Sequence, residues 1–236
     1  MSYKIGVIGA MDVEVSLLRE RLEGRTSAVH AGMEFSEGSF GGHSVVIARC
    51  GVGKVNAAMC VQVLASVYGV THVINTGVAG SLDASIDIGD LVVSTDVVHH
   101  DVDATVFGYA PGQVPGMKTV AFEADVRLAA AVSKAASEVA PNISVHAGRV
   151  VSGDQFVASD TVKERIAKQF DGRCCEMEGA AVAQACHLNK LPFVVVRAIS
   201  DKADGSAEVA YPEFETKAAQ RCARIVQHML SNMFEE

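Results

Sequence analysis

Three acidic side chains stand where a carboxylate could do acid–base chemistry, at the end of a predicted strand or the start of a predicted helix. Asp201 follows the apolar run 193–199, and burial at the rim of a sheet raises the pKa of a carboxyl group toward that of a general acid. Glu178 stands between a short predicted strand and an Ala-rich helix, and Glu14 opens the first predicted helix. If the three meet at one edge of a sheet, we expect a site suited to positive charge on a substrate.

Each of these carboxylates also has a purely structural explanation. Asp201 could cap the turn that follows its strand, and Glu14, Glu176 or Glu178 could complement the positive end of a helix. The functional alternative for Glu176 and Glu178 is that one of them accepts hydrogen bonds from two neighbouring hydroxyl groups of a sugar. The sequence alone leaves these alternatives open.

Three glycine-containing segments follow predicted strands and are predicted to be turns that bring backbone close to a ligand. They are residues 9–12, 51–54 and 77–80, with the sequences GAMD, GVGK and GVAG. None has the spacing of a P-loop or of the GxGxxG dinucleotide-binding motif. Because open α/β sheets bind ligands at the carboxyl ends of their strands, we expect the three segments to border one site.

Other residues give weaker signals. His99 and His100 point apart on an extended chain, and no third ligand has metal-binding spacing, so we predict no metal site there. Asp154 is expected to cap the turn formed by residues 152–154. Three further residues are more often core than ligand contacts: Met11, Met177 and Phe156.

Short β-branched runs alternate with longer segments rich in Ala, Leu and Glu, which is typical of parallel strands connected by helices. The predicted strands cover residues 4–8, 43–49, 72–76, 90–98, 144–152, 173–177 and 193–199. The predicted helices cover residues 13–22, 55–68, 125–139, 159–168, 179–188 and 213–229. Residues 28–40 are predicted to form a hairpin with Gly32 and Gly38 as turn residues, and residues 107–116 a long irregular loop.

The predicted elements favour an α/β fold with one mixed central sheet flanked by helices on both faces. The 236 residues are 49% hydrophobic, and no linker or repeat divides them, so we expect a single domain over residues 1–236. A net charge of -8 without a basic run argues against nucleic acid as a partner. The six cysteines include no CxxC pair, and no run of roughly 18 apolar residues occurs, so we expect buried thiols in a soluble cytoplasmic protein.

Six segments, in one order over nearly the whole chain, match a known family. They are residues 5–14 (IGVIGAMDVE), 51–57 (GVGKVNA), 75–80 (NTGVAG), 152–157 (SGDQFV), 176–178 (EME) and 193–201 (FVVVRAISD). In these motifs the sequence resembles the methylthioadenosine/S-adenosylhomocysteine nucleosidase family, within the nucleoside phosphorylase fold. The resemblance implies hydrolysis of the N-ribosyl bond of methylthioadenosine, S-adenosylhomocysteine and 5′-deoxyadenosine, without a metal or cofactor. The resemblance does not identify the preferred 5′ group of the substrate. It also leaves open whether aminodeoxyfutalosine, which has a larger 5′ group, is a substrate.

The resemblance also implies a role for each matching residue. Asp201 would protonate adenine at N7, Glu14 would activate the attacking water, and Glu178 would bind the ribose 2′- and 3′-hydroxyls. The other implied substrate contacts are Phe156 stacked on adenine, the Val157 backbone at the adenine edge, Met177 against the ribose, Met11 and Val52 near the nucleophile and the 5′-thio group, and Ala79, Gly80 and Ser200. Phe107 and Pro115 of a neighbouring subunit would close the 5′ pocket, which implies a homodimer.

Val78 departs from the family pattern, because many relatives have a serine there whose hydroxyl could orient the catalytic aspartate or a water. Backbone amide groups would then have to supply more of the hydrogen bonds that the serine hydroxyl provides in those relatives. A phosphorylase of the same fold is the nearest rival, but it needs cations for phosphate, and residues 9–12 and 75–80 contain none. A non-catalytic adenosine-binding module would need no acid–base pair, and a Rossmann-type oxidoreductase would carry GxGxxG. Hydrolysis is therefore expected.

Overall fold

The computed structural model describes residues 3–232, and its elements follow the predicted alternation. The strands are β1 (Lys4–Gly9), β2 (Glu23–His30), β3 (Met33–Phe40), β4 (His43–Arg49), β5 (His72–Ser81), β6 (Leu91–His99), β7 (Phe122–Glu123), β8 (Val145–Ser152), β9 (Cys174–Glu176) and β10 (Phe193–Asp201). The α-helices are α1 (Asp12–Glu20), α2 (Lys54–Val63), α3 (Val126–Val139), α4 (Asp160–Phe170), α5 (Gly179–Asn189) and α6 (Ala207–Asn232).

Alternate residues of the central strands enter two separate cores, one on each face of the sheet. In β1, Ile8 packs on the side of α2 and α5, whereas Ile5 and Val7 pack on the side of α1, α3 and α6. Side chains of a strand point alternately to the two faces, so a strand covered on both faces is apolar throughout. The predicted fold class, a mixed sheet with helices on both faces, is confirmed.

Part of the sheet closes on itself. β1 lies between the parallel strands β4 and β5, and the β2–β3 hairpin extends the sheet beyond β4. On the other side, β10 pairs with both β5 and β6, and β8 and β9 complete the ring back to β5. The closure brings the carboxyl ends of β5 and β10, which are parallel neighbours, beside the end of β1.

Two of the predicted glycine turns are wrong. Residues 77–80 continue β5 without a turn. Gly38 lies inside β3, where a Cβ would come within 2.5 Å of the Glu23 carbonyl oxygen, so this glycine permits close strand approach. The predicted hairpin itself is present and turns at Ala31 and Gly32, both with positive φ.

Two helices differ from their predicted bounds by more than two residues. α2 ends at Val63 and continues as a π-helical turn, Leu64–Tyr68, instead of one regular helix. α6 begins at Ala207, six residues before the predicted start. The Ser206 carbonyl already accepts the Ala210 N–H at 3.0 Å, so helical hydrogen bonding is established before Pro212, which removes only its own donor.

All six cysteines are buried and unpaired, as predicted. The segment between β6 and α3 is mostly irregular, with one short 3-10 turn at Thr105–Phe107, which agrees with the predicted loop. Across residues 3–232, no helix combines the length and apolar character needed to cross a bilayer.

Candidate active site

One cavity lies at the carboxyl ends of β1, β5 and β10, beside the N-termini of α1 and α5. Glu14, Glu178 and Asp201 all line it, although they come from distant parts of the chain. The other residues that line it are Ala10, Met11, Val52, Val78, Ala79, Gly80, Phe156, Cys175, Glu176, Met177, Ser200 and Tyr211. A wider groove between α3 and the end of α6 contains none of the predicted site residues.

Glu14 is held by three backbone amides. Its Oε2 accepts the N–H groups of Ala10 at 2.7 Å and Met11 at 2.9 Å, and its Oε1 accepts that of Val78 at 3.2 Å. The side chain therefore caps the start of α1, as its structural explanation requires, and also faces the cavity. Burial raises the pKa of Glu14, while the nearby Arg197 guanidinium opposes that rise.

Asp201 is the last residue of β10 and is 2% exposed. Its Oδ1 accepts the Ala203 N–H at 2.7 Å, which fixes the turn after the strand, and its Oδ2 accepts the Ser200 hydroxyl at 2.9 Å. Burial raises the pKa of Asp201, and these two hydrogen bonds only partly offset the rise. Asp201 thus both caps a turn and presents a carboxyl group that keeps its proton more readily than a free aspartate.

Gly77 and Gly80 explain why a glycine-rich segment belongs to a strand here. A Cβ on Gly77 would lie 2.6 Å from Oε1 of Glu14, and one on Gly80 would lie 2.6 Å from Oδ1 of Asp201. Neither contact can be accommodated without displacing the carboxylate. The two glycines of β5 therefore provide the space in which the two acidic groups approach the strand.

Glu176 and Glu178, left as alternatives by the sequence, have different environments. Glu176 pairs with Arg197, accepts the Ser152 hydroxyl, and accepts the Glu178 and Gly179 N–H groups at the start of α5. It is the residue that complements this helix end. Glu178 instead reaches across the cavity, where its Oε1 accepts the Gly53 N–H at 2.7 Å. Burial and the charge of Glu176 raise the pKa of Glu178 to about 8.

Arg197 is a site residue that the sequence analysis missed. It is among the largest fully buried side chains, and its Nη2 donates to Glu176 and, at 2.6 Å, to Asn75 Oδ1. Burial alone would lower the pKa of Arg197, but Glu176, Glu14 and Glu178 raise it. The signal was an arginine inside the apolar run 193–199, since an unpaired buried charge is too costly to occur there.

Tyr211 was also missed, because it lies before the predicted start of the last helix. Its hydroxyl donates to Glu215 Oε1 at 3.0 Å and lies 3.3 Å from Met11 Sδ. Its ring meets that of Phe156 edge-on, with centroids 5.4 Å apart. Burial and the neighbouring Glu215 raise the pKa of Tyr211. The start of α6 thus supplies one wall of the cavity.

The remaining predicted site residues either line the cavity or lie outside it. Phe156 and Val52 line the cavity and are about half exposed, at 47% and 50%, so the core alternative given for Phe156 is wrong. The Val157 side chain is buried in an apolar cluster with Ile166 and Phe170 of α4, and Val157 lies outside the cavity lining, next to Phe156. Phe107 (81% exposed) and Pro115 lie on the irregular segment after β6, outside the lining.

Two polar side chains outside the lining, Asp154 and His99, have partners elsewhere in the chain. Asp154 does not cap its own turn as predicted: its Oδ1 accepts the Lys54 N–H at 2.8 Å, at the start of α2. The predicted turn of residues 152–154 is absent: Ser152 ends β8, and the Gly153 N–H donates to the Glu176 carbonyl oxygen at 3.1 Å, which extends the pairing of β8 with β9. His99 Nε2 bonds to Gln184 Oε1, and the side chains described within residues 3–207 and 210–232 contain no cluster of three potential metal ligands.

The carboxylates outnumber the cations around this cavity. No lysine or arginine is present among its described lining residues, and the buried Arg197 pairs with Glu176. A cavity of this kind stabilises positive charge that develops on a bound molecule more strongly than water would. Asp201, which can carry a proton, and Glu14 both face the cavity. The arrangement suits cleavage of a bond by acid–base catalysis, in which one group protonates the leaving group and the other acts as a base.

The chain is similar to known proteins over nearly its full length. The sequence model of the family described as the phosphorylase superfamily matches residues 4–231. A 5′-methylthioadenosine/S-adenosylhomocysteine nucleosidase from Anoxybacillus flavithermus is 43% identical over 97% of this chain and 98% of its own length. The chain with this fold and cavity thus belongs to the phosphorylase superfamily.

Similar solved structures show which family within the superfamily the chain belongs to. The nucleosidase of the same description from Neisseria meningitidis, in complex with methylthio-immucillin-A, superposes with a TM-score of 0.94 at 40% identity, over 97% of this chain and 99% of that one. The corresponding Colwellia psychrerythraea structure, in complex with adenine, gives 0.93 at 41% identity, over 98% and 95%. The chain belongs to the 5′-methylthioadenosine/S-adenosylhomocysteine nucleosidase family.

Proposed function

We propose that the protein hydrolyses the N-ribosyl bond of 5′-methylthioadenosine and S-adenosylhomocysteine, releasing adenine and the 5′-substituted ribose. 5′-Deoxyadenosine is proposed as a further substrate, because it keeps the adenosine core. The observation that carries the proposal is the meeting of Glu14, Glu178 and Asp201 in one cavity. The relatives named above are nucleosidases for the first two compounds.

Asp201 serves as the general acid that protonates adenine at N7. Cleavage of the bond leaves electron density on the purine, so a proton delivered to N7 makes it a better leaving group. The buried position of Asp201 and its raised pKa favour the protonated form that this step requires. Ser200, which donates to Oδ2, leaves the orientation of the carboxyl group little freedom.

Glu14 activates the attacking water. Water attacks a ribose that becomes oxocarbenium-like, so a base on the water and an acid on the leaving group are the two parts that hydrolysis needs. Arg197 favours the ionised form of Glu14, which counters the effect of burial. The Val78 N–H bond to Glu14 supplies a backbone donor at the position where many relatives carry a serine.

Glu178 binds the ribose 2′- and 3′-hydroxyls. One of its oxygens accepts the Gly53 N–H, and the side chain faces the cavity. Phe156 stacks on the adenine, the Val157 backbone reads its edge, and Met177 lies against the ribose. The remaining proposed contacts are Met11, Val52, Ala79, Gly80 and Ser200.

A homodimer completes the site in this proposal, with Phe107 and Pro115 of one subunit closing the 5′ pocket of the other. The support is a set of exposed apolar side chains on α2, α5 and the segment after β6. Val55 is 71% exposed, Leu188 66% and Phe107 81%, and a second subunit would remove such apolar surface from water. We also propose a cytoplasmic location and one nucleosidase domain over the whole chain.

A substrate panel tests the proposal. Methylthioadenosine, S-adenosylhomocysteine, 5′-deoxyadenosine and aminodeoxyfutalosine are incubated with the protein, with and without phosphate, and released adenine or the corresponding free base is measured. We expect adenine from the first three at rates that do not depend on phosphate. Strict dependence on phosphate would assign the protein to the phosphorylases, and binding without any release would make it an adenosine-binding module.

A further inference from the structure

Two motifs that the sequence analysis singled out, residues 99–101 and 152–154, meet around Lys54 beside the cavity. Lys54 Nζ lies 2.6 Å from Asp101 Oδ1, and Asp101 Oδ2 accepts the Asp154 N–H at 2.9 Å. Asp154 Oδ1 in turn accepts the Lys54 N–H at 2.8 Å. We call these three residues the Lys54 network. It joins the end of β6, the start of α2 and the segment after β8.

The network caps the N-terminus of α2. The N-cap residue of this helix is Gly53, which has no side chain to accept an N–H group. Asp154 supplies the missing acceptor from another segment of the chain. Gly53 has φ +97°, and a Cβ there would lie 3.2 Å from Asp154 Oδ1, so a residue with its own capping side chain is disfavoured at this position.

Two consecutive amides of the turn hold two different carboxylates. The Gly53 N–H donates to Glu178, which faces the cavity, and the Lys54 N–H donates to Asp154. Both acceptors lie at the positive end of α2, where negative charge is favoured. Asp154 precedes Phe156 and Val157 by only two and three residues, so the same contacts tie the proposed sugar-binding carboxylate to the proposed adenine-binding segment.

We propose that Asp154 and Asp101 are positioning residues for nucleoside binding. They fix the turn before α2 so that the Gly53 N–H holds Glu178 in the orientation that receives the sugar hydroxyls. This inference rests on the proposed function, because it takes Glu178 as the group that binds the sugar. Asp101 acts one step further away than Asp154, through the Lys54 side chain and the Asp154 amide.

The first experiment compares two substitutions of Asp154 with a matched control. Asp154→Ala removes the acceptor for Lys54 N–H and should lower kcat/KM for methylthioadenosine by about tenfold, mainly through KM, as expected for one lost hydrogen bond. Asp154→Asn keeps an acceptor oxygen and should stay within about threefold of wild type. Asp160→Ala, at an exposed carboxylate in the first turn of α4, should leave kcat/KM unchanged.

The second experiment asks whether the effect passes through Glu178. Asp154→Ala is combined with Glu178→Gln in a double-mutant cycle, with kcat/KM measured for all four proteins. If Asp154 acts by holding Glu178, its substitution should cost less than about threefold in the Glu178→Gln background. An equal cost in both backgrounds would overturn the inference, as would an Asp154→Asn variant as impaired as Asp154→Ala.

Folding and the proposed function are checked separately. Circular dichroism and thermal unfolding show whether each variant is folded at the assay temperature. If Asp154→Ala is not, Asp101→Asn takes its place in the cycle, with a smaller expected loss of about threefold that again must vanish in the Glu178→Gln background. Wild-type protein that releases no adenine would refute the proposed function, whereas normal wild-type turnover with an additive cycle would refute only this inference.

Discussion

The first halves of β5 and β10 place Val73, Ile74 and Val194 in the two apolar cores, whereas the second halves carry the site. There the same strands hold Arg197 and Asp201 and leave room for carboxylates at Gly77 and Gly80. The difference shows that one buried strand can stabilise the fold along half its length and position reacting groups along the other half. Substitutions in the first half should therefore cost stability alone, whereas those in the second half should alter catalysis, stability or both.

The largest effect is expected for Asp201→Asn in the second half of β10. Asparagine has a similar shape but cannot deliver the proton, so kcat should fall by about 10³- to 10⁴-fold while the affinity for substrate is largely kept. Steady-state adenine release and equilibrium binding of methylthioadenosine measure the two quantities. Turnover at the wild-type rate would remove Asp201 from its proposed role.

Arg197→Met should give the next largest effect, on stability. It leaves Glu176 buried without its partner, which costs about 3–5 kcal/mol of the free energy of unfolding. Val194→Ala in the apolar half is the matched substitution and should cost about 2 kcal/mol while leaving adenine release per folded molecule unchanged. Urea unfolding of both variants checks this order. A smaller loss for Arg197→Met than for Val194→Ala would contradict the assigned ion pair.

Glu178→Gln tests whether Glu178, rather than the neighbouring Glu176, binds the sugar. Because Glu178 is proposed to bind the sugar hydroxyls, its substitution should raise KM and lower kcat together, with about a tenfold loss in kcat/KM. Initial-rate kinetics with methylthioadenosine give both constants. Normal kinetics would place the hydroxyl-binding group elsewhere.

The smallest expected effect is on the pH dependence of binding. The pKa of Glu178 is about 8, so its ionised fraction, which accepts hydrogen bonds best, rises between pH 7 and 9. Methylthioadenosine should therefore bind several-fold more tightly at pH 9 than at pH 7 to the Asp201→Asn variant, in which the catalytic acid no longer titrates. Adding Glu178→Gln should abolish this dependence, and a dependence that persists would assign it to another group.

The sequence predicted the parts of the fold that depend on local patterns. Apolar runs such as residues 193–199 located the strands, and the three carboxylates at element ends pointed to the cavity. The wrong predictions concern long-range contacts: Gly77 and Gly80 are glycines because of Glu14 and Asp201, and Asp154 caps α2 from about a hundred residues away in sequence. The periodicity of apolar residues indicates which face of a helix or strand is buried. It does not indicate which distant side chain packs against that face.

The partners of the buried charged residues could not be predicted from the sequence either. The sequence places Arg197 in an apolar strand, but only the closure of the strands into a ring shows that Glu176 and Asn75 are its partners. The choice between Glu176 and Glu178 likewise depended on their partners, since both stand near the same helix start. Glu176 is occupied by Arg197, Ser152 and the helix amides, whereas Glu178 contacts a single amide across the cavity.

The central claim is that Glu14 and Asp201, from opposite ends of the chain, act on the same N-ribosyl bond. Single-turnover release of adenine from methylthioadenosine, with enzyme in excess, tests it most directly on the wild type, Glu14→Gln, Asp201→Asn and the double variant. Residues that act as a unit are not additive. We predict severe loss in each single variant and little further loss in the double variant. Wild-type release by either single variant, or fully multiplicative losses in the double variant, would contradict the claim.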